Sequence, residues 1–454
     1  MRKIIIPILL VLFSLTSVLA DCDYNISSCM EWIPETYLNG TVCLTTDLSC
    51  VDNSIYLYGG SNYVFDCHGY NLQVSGDTNF YAEFENNVTY KNCRLEDTQG
   101  DGFVVYDSTN IIINNIYSRN VWGQGMEIGD LINFTIKNSI SKDNNEYGIR
   151  MYTSTNGYVE NFTATGNTNV TYGSAGIYLR YTNNCTFVNV NASYNSYGII
   201  LLDNPPSYIN QITIKDSFVD GNNYEGIKIY GFNHTIDNVT ALNNGLYGIN
   251  ISSPPSTPQN ITIKNSKLHG GNNSIYFSLG ANGNWVYNNL LNNTINVTNA
   301  TESMNTTRQL GSKIYGSGSY IGGNYWTNST GNGYSDTCTP DVDGFCDTPL
   351  TILGGVVDYL PLAEEPTPTT TSTSTTTSST TTTTTPVTTT VISQPSGLGQ
   401  ILSEVGEGMG SLMSAIRSPL ATFLLALGMV GFVMFVIYAL FKGLGQGINS
   451  GNVA

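Results

Sequence analysis

Residues 133–161 read NFTIKNSISKDNNEYGIRMYTSTNGYVEN. Two six-residue segments within it, NFTIKN from Asn133 and NGYVEN from Asn156, start and end on asparagine and alternate two kinds of side chain between. Alternation with period two sends successive side chains to opposite faces, so each segment is a strand with one buried side. The same segment recurs outward from there: NYVFDC from Asn62, NVTYKN from Asn87, NIIINN from Asn110, NCTFVN from Asn184, QITIKD from Gln211, NHTIDN from Asn233, NITIKN from Asn260 and NWVYNN from Asn284. A second strand keeps phase with it, as GFVV at Gly102, GMEI at Gly125, GIRM at Gly148, GIYL at Gly176, GIIL at Gly198, GIKI at Gly226 and GINI at Gly248.

Two or three short strands per repeat of 22 to 28 residues cannot enclose a core alone. Coiling the chain and stacking each turn on the last buries one face of every strand, and that is a parallel β-helix of about ten coils at ~4.8 Å per coil. Insertions such as 203–207 and 252–258 fall between strands, where a solenoid accepts them. The sixth residues of the first segment predict a structural ladder of stacked amides: Asn92, Asn115, Asn138, Asn161, Asn189, Asp216, Asn238, Asn265 and Asn289. Alternation places Phe134, Ile136, Cys185, Phe187, His234, Ile236, Ile261 and Ile263 inside, which makes Cys185 and His234 core residues.

The flanks differ sharply from the repeat. Arg2 and Lys3, the apolar run 4–15 and the small residues Val18 and Ala20 read as a signal peptide, 1–20. Residues 419–441 carry no charge and are long enough to span a bilayer as a helix of about 35 Å. The expected layout places a disulfide-bearing cap at 21–61, the β-helix at 62–300 and a C-terminal cap with an acidic loop at 301–365. A Thr/Ser/Pro-rich stalk at 366–395, an amphipathic segment at 396–418, the membrane helix at 419–441 and an internal tail at 442–454 follow. The expected location is the cell surface, with a single span and the N-terminal region outside.

Only 11% of the residues are charged and the net charge is -17, which repels phosphate backbones and excludes nucleic acid as a partner. Nine cysteines suit an oxidising exterior; the pairings expected from proximity in sequence are Cys43 with Cys50, Cys67 with Cys93 and Cys338 with Cys346. Of eighteen N-x-S/T sequons outside the membrane segment, Asn25, Asn39, Asn169, Asn191, Asn250, Asn272 and Asn328 are candidates for glycosylation. No cofactor is required, and a structural calcium ion is the one candidate: Asp336, Asp341, Asp343 and Asp347 have oxygen-rich loop spacing.

On the outward side of the second strand stand Tyr106, Glu127, Arg150, Tyr152, Tyr178, Arg180, Lys228 and Tyr230. Aromatic faces stack on sugar rings and charged forks hold hydroxyls, so this column is a candidate glycan-binding strip. A hydrolytic site needs paired carboxylates. On the outward face of the first strand Glu160 and Asp237 are three coils apart, and Glu127 stands alone on the second.

The repeated N-x-T-I-x-N and N-x-Y-G-I pattern over about residues 50 to 300 resembles the right-handed β-helix repeats of NosD-type and pectin-lyase-like surface proteins. Gly323-Asn324-Tyr325-Trp326, Asp341-Val342-Asp343-Gly344, Asp347-Thr348-Pro349 and Asp358-Tyr359-Leu360-Pro361-Leu362 are similar to the closing motif of archaeal NosD-like secreted proteins, although Phe345 and Cys346 replace part of the usual acidic run. The resemblance implies a right-handed, all-β fold and an exterior location. Copper, sometimes attached to the family name, finds only three scattered histidines, 68, 234 and 269. The expected role is adhesion, glycan binding or envelope structure, with glycans or envelope components as partners. The rivals are a membrane-tethered polysaccharide lyase or hydrolase and a viral receptor-binding spike.

Overall fold

In the computed structural model the described residues are 22–364, excepting 30–32, 34–39, 52–54, 77, 170–172, 204–207, 254–256, 293–294, 298–301 and 317. The expected signal peptide, stalk, juxtamembrane segment, membrane helix and tail, and the sequon at Asn39, lie outside them. Among the described residues no helix is long and apolar enough to cross a membrane.

The chain winds as a parallel β-solenoid with three sheets. Sheet A holds the Asn-led segments, among them Asn86–Lys91, Thr109–Asn114, Ile132–Lys137, Thr155–Glu160 and Asn183–Val188. Sheet B is 11-stranded and holds the Gly-led segments, from Ile55–Tyr58 to Ile295–Val297. Sheet C is 6-stranded, from Leu48–Cys50 to Thr163–Thr165. In later coils a single strand, such as Asn210–Phe218 or Thr235–Asn244, turns the corner between the A and C faces. Equivalent positions stack from coil to coil: Phe103 pairs with Met126, Met126 with Ile149 and Ile149 with Ile177. The inward columns are mostly apolar, as with Phe134, Ile136, Phe187, Ile236 and Ile263, and His234 is a polar exception.

Left-handed backbone corners explain the asparagines. Asn62, Asn87, Asn110, Asn133, Asn156, Asn184, Gln211, Asn233 and Asn260 enter sheet A at φ of 51 to 61°, and Asn92, Asn115, Asn138, Asn161, Asn189, Asp216, Asn238, Asn265 and Asn288 leave it at 51 to 57°. Asparagine tolerates this region and its amide can bond the next coil. Asn115 Nδ2 donates to Asn92 Oδ1 at 2.8 Å, Asn161 to Asn138 at 3.0 Å and Asn189 to Asn161 at 2.7 Å, as expected. Asn238 likewise donates to Asp216 at 2.7 Å. Two rungs bond a neighbouring residue instead, Asn138 to Asn114 and Asn265 to Asp237. A second ladder, not foreseen, runs along the entry corner, where Asn87 donates to Asn62 and Asn156 to Asn133.

The tenth coil corrects the expected register by one residue. Thr262 pairs with Trp285 and Lys264 with Tyr287, so Asn288, not Asn289, stands over Asn265 and donates to it at 2.6 Å. Gly283, at φ +64°, takes the entry corner instead of Asn284. Val286 therefore points inward, Trp285 points out, and Asn289 is buried against the carbonyls of Ile263 and Tyr287.

Both caps share in the solenoid. Tyr24–Ile26 pairs in parallel with Gly40–Leu44, which pairs with Tyr63–Asp66, so coiling begins before residue 62. At the far end Tyr325–Thr327 adds a parallel rung to Leu290–Asn292. Tyr325, Phe345 and Leu362 form a small separate core beyond it.

The disulfides are Cys22–Cys43, Cys29–Cys50, Cys67–Cys93 and Cys338–Cys346. The expected Cys43–Cys50 pairing is corrected: those residues sit on sheets A and C of one coil. Each bonds instead to a cysteine 21 residues earlier, with Cα atoms 5.8 and 5.7 Å apart. Four disulfides indicate an oxidising, extracytoplasmic compartment.

Candidate functional site

The residues of sheet B that face outward form two columns. One runs Tyr56, Tyr81, Val104, Glu127, Arg150, Tyr178, Ile200, Lys228, Asn250 and Tyr276; the other runs Tyr58, Glu83, Tyr106, Gly129, Tyr152, Arg180 and Leu202. Tyr106, Glu127, Arg150, Tyr152, Tyr178 and Arg180 thus come together on four successive coils. Ile200 and Leu202 separate them from Lys228 and Tyr230, so the eight residues make two clusters and not one strip.

Glu127 is the centre of the larger cluster. It is 6% exposed, and Arg150 Nη1 reaches its Oε1 at 3.0 Å. Burial, then the charge of Asp101, outweigh Arg150 and the Tyr106 hydroxyl and push its pKa up to about 7. The sequence left Glu127 alone because its acidic neighbours are not on a strand. Asp101 and Glu146 belong to the turns that lead into sheet B; Asp101 Oδ1 accepts the Gln124 N–H at 2.7 Å and Glu146 accepts from the Gln124 side chain. Burial first, then Asp101, holds the Glu146 carboxyl above its ordinary range.

Aromatic rings frame these charges. Tyr147, from the same turn, stacks on Tyr178 with centroids 4.6 Å apart, and Tyr106 meets Tyr152 at 5.6 Å. That second contact requires Gly129 between them, since a Cβ there would lie 2.6 Å from the Tyr152 ring and 2.7 Å from Tyr106. The Arg150 guanidinium lies 5.4 Å from the Tyr152 centroid and that of Arg180 4.7 Å from Tyr181. Arg150 and Arg180 each keep an Nε with no partner among the described residues.

The smaller cluster repeats the theme. Tyr197 stacks on Tyr224 at 4.9 Å and Tyr247 on Tyr276 at 4.8 Å. Lys228 Nζ lies 5.6 Å from the Tyr197 ring and 5.9 Å from Tyr230. Glu225 is buried beneath and accepts from Asn250 Nδ2 at 2.9 Å. The sequon at Asn250 is therefore corrected: its amide is buried and already engaged, which leaves no room for a sugar. Asn25 and Asn272 are exposed, whereas Asn169, Asn191 and Asn328 are half-buried, with Asn169 and Asn328 donating to Asn145 and Asn332.

The acidic loop does not gather its four aspartates. Arg308 donates to both Asp341 and Asp343, and Lys313 Nζ takes the carbonyls of Asp343 and Gly344 at 2.6 and 3.0 Å. Two cationic side chains thus occupy the ground expected for calcium. Asp336 turns away to accept from Tyr325, Thr327 and the Gly333 N–H, and Asp347 lies exposed. Elsewhere, Glu160 and Asp237 are paired with Lys137 and Lys264 at 3.0 and 3.3 Å. Cys185 is buried with its thiol pushed up to about 12, and burial brings His234 down to about 4. Both are core residues, as expected.

The fold defines an extracytoplasmic parallel β-solenoid with an aromatic and charged face. Residues 157–331 match the family model "Periplasmic copper-binding protein (NosD)" and residues 46–173 match "Right handed beta helix region". Together the two matches run over residues 46–331, and the chain is similar there to the NosD and right-handed β-helix families. No curated protein matches it. Among solved structures it is similar to the A-module of mannuronan C-5 epimerase AlgE6 of Azotobacter vinelandii, at 13% identity and TM-score 0.49, covering 58% of this chain and 81% of that one. It is also similar to the Dettilon tailspike protein, at 16% identity and TM-score 0.38 over 62% of this chain and 66% of that one. The third is pectate lyase Pel9A, at 14% identity and TM-score 0.37 over 57% and 68%. At these values no residue role passes from them to this chain.

The copper of the family description does not fit these residues. Among the described residues the one group of three donors is Cys22, Cys43 and His68, and its sulfurs are joined in a disulfide. His234 has both ring nitrogens engaged, by the Ile212 N–H and the Tyr230 carbonyl, and His269 contacts the Asn292 carbonyl.

Proposed function

We propose that the chain is a surface-tethered glycan-binding protein whose sheet B face holds an extended oligosaccharide. The observation that carries this reading is the cluster of tyrosines, Tyr147 stacked on Tyr178 and Tyr106 tilted against Tyr152, interleaved with Arg150 and Arg180. Tyrosine rings present apolar faces to sugar rings, and guanidinium forks donate to hydroxyls or carboxylates. Arg150 is already paired with Glu127, and Arg180, which makes no ion pair among the described residues, is the cation on this face that can hold an acidic group of a glycan. The uncharged run 419–441 and the Thr-rich 366–395 support attachment to a membrane through a stalk. The test is a glycan array probed with the full chain: Tyr178→Ala with Arg180→Ala should abolish retention while the melting temperature moves only a few degrees. Retention unchanged in the double variant refutes the proposal.

One observation favours a second reading, polysaccharide cleavage. Glu127, with a pKa of about 7 beside Arg150, has the proton affinity of a general acid or base near neutrality. Reducing ends or unsaturated products released from a polysaccharide panel, and lost in Glu127→Gln, distinguish that reading.

A further inference from the structure

We propose that a cleft at the C-terminal end of the solenoid, remote in sequence from the sheet B cluster, is a second binding site and takes an organic ammonium group. The cleft holds about 520 Å³, and Trp285, Glu302, Ser303, Thr306, Val356 and Tyr359 line it. Binding pockets for small ligands fall at about 300–1,000 Å³. Trp285 is 44% exposed and Tyr359 64%, two large rings standing in water at the same opening. They share a framework with the carboxylate. Trp285 bridges Ser303 in parallel, next to Glu302, and the Tyr359 N–H donates to Asn305 Oδ1 at 3.2 Å.

Glu302 is 6% exposed. Its Oε2 accepts the Asn284 N–H at 2.9 Å, and its buried Oε1 has no partner among the described residues. Burial holds the carboxyl above its ordinary range. Among the described residues no lysine or arginine lines the cleft, and the formal charge that faces it is negative. A buried carboxylate without a counter-charge is costly, and a ligand cation removes that cost. An ammonium also draws on the faces of Trp285 and Tyr359, within ~6 Å of a ring centroid, and donates to the Ser303 and Thr306 hydroxyls. A neutral sugar would use the rings and leave Glu302 uncompensated. Amino sugars and lysine side chains supply all of this chemistry, and a choline-type head group supplies the charge and the ring contact without the N–H donors.

Calorimetry of the full chain at pH 7 with glucosamine, N-acetylglucosamine, Nα-acetyl-lysine amide and choline tests the proposal. At least one ammonium probe should bind, N-acetylglucosamine should bind at least 10-fold more weakly, and the strongest probe names the source. Glu302→Gln and Tyr359→Ala should each weaken that probe 10-fold, and Trp122→Ala, an exposed ring elsewhere, less than 2-fold. Binding by none of the ammonium probes, or equal binding of N-acetylglucosamine, overturns it. Should Glu302→Gln fail to fold, Tyr359→Ala decides alone, and unchanged affinity there also overturns it.

Discussion

Arg150 reaches back one coil to Glu127, Nη1 to Oε1 at 3.0 Å, and covers a carboxylate that is almost wholly removed from water. Removing the cation strands that charge. Breaking a fully buried pair costs about 3–5 kcal/mol, and because a third of the Arg150 side chain is exposed, Arg150→Ala should cost about 2 kcal/mol. Adding Glu127→Gln should recover most of the loss, since the carboxylate is then neutral. Urea denaturation of the four proteins of this cycle checks it, and additive losses would contradict it.

Stability should depend on pH through the same residue. Glu127, at about 7, and Asp358, at about 6, are raised mainly by burial above ordinary values of 4.5 and 3.8. Each binds its proton more tightly when folded, so each contributes stability that is whole below its ordinary value and lost as pH rises through its folded value. Asp66 and Asp341 are lowered and act in the opposite sense, but only as pH falls below their ordinary 3.8, while His234, held at about 4 against an ordinary 6.5, gains stability as pH rises between those values and offsets one of the two raised acids. The melting temperature should therefore fall between pH 4.5 and 7.5, and Glu127→Gln should flatten the upper part of that fall. A melting temperature rising over this interval would show that other groups dominate.

The corner asparagines carry two separable effects. Asn138, at φ +52°, donates to Asn114 and accepts from Asn161. Asn138→Ala loses both bonds, about 0.5–1.5 kcal/mol each, and adds left-handed strain of about 1–2 kcal/mol. Asn138→Gly loses the bonds alone. Chemical denaturation should rank wild type above Gly above Ala; equal losses in the two variants would remove the conformational share.

Much of this was legible in the residues. Period-two alternation gave the strands and their inward faces, and Asn138, Asn161 and Asn189 marked true corners. The reading slipped at Asn284 because glycine fills a left-handed corner as well as asparagine does, and Gly283 with the Asn288-Asn289 doublet offers two registers that differ by one. The acids around Glu127 were missed for a related reason. Asp101 and Glu146 lie in turns whose residues carry no alternation, so only the coil geometry brings them over sheet B. Cys43 and Cys50 are close in sequence yet on different sheets, whereas a spacing of 21 is one turn of the coil.

Gly198 is held open by the coil above. A Cβ at that position would lie 2.3 Å from the carbonyl oxygen of Gly226, which is backbone and cannot move aside. Gly198→Ala should cost about 1–3 kcal/mol by overpacking, seen as a lower urea midpoint. A neutral effect would mean that successive coils are further apart than described.

Arg308 neutralises Asp341 and Asp343, and it does so in the place where a calcium ion would be sought. Native protein should show no rise in melting temperature with 5 mM calcium. Arg308→Gln should be less stable and should regain part of the loss on adding calcium, because two carboxylates then lose the guanidinium they share. A calcium-induced rise of several degrees in the native protein would contradict this arrangement.

The sheet B proposal is tested most directly by the crystal structure of the full chain with an acidic oligosaccharide selected from the array. The account expects sugar rings lying over Tyr147 and Tyr178 with their polar groups in reach of Arg180. Sugar bound on sheet A or C, with the sheet B tyrosines bare, would contradict it.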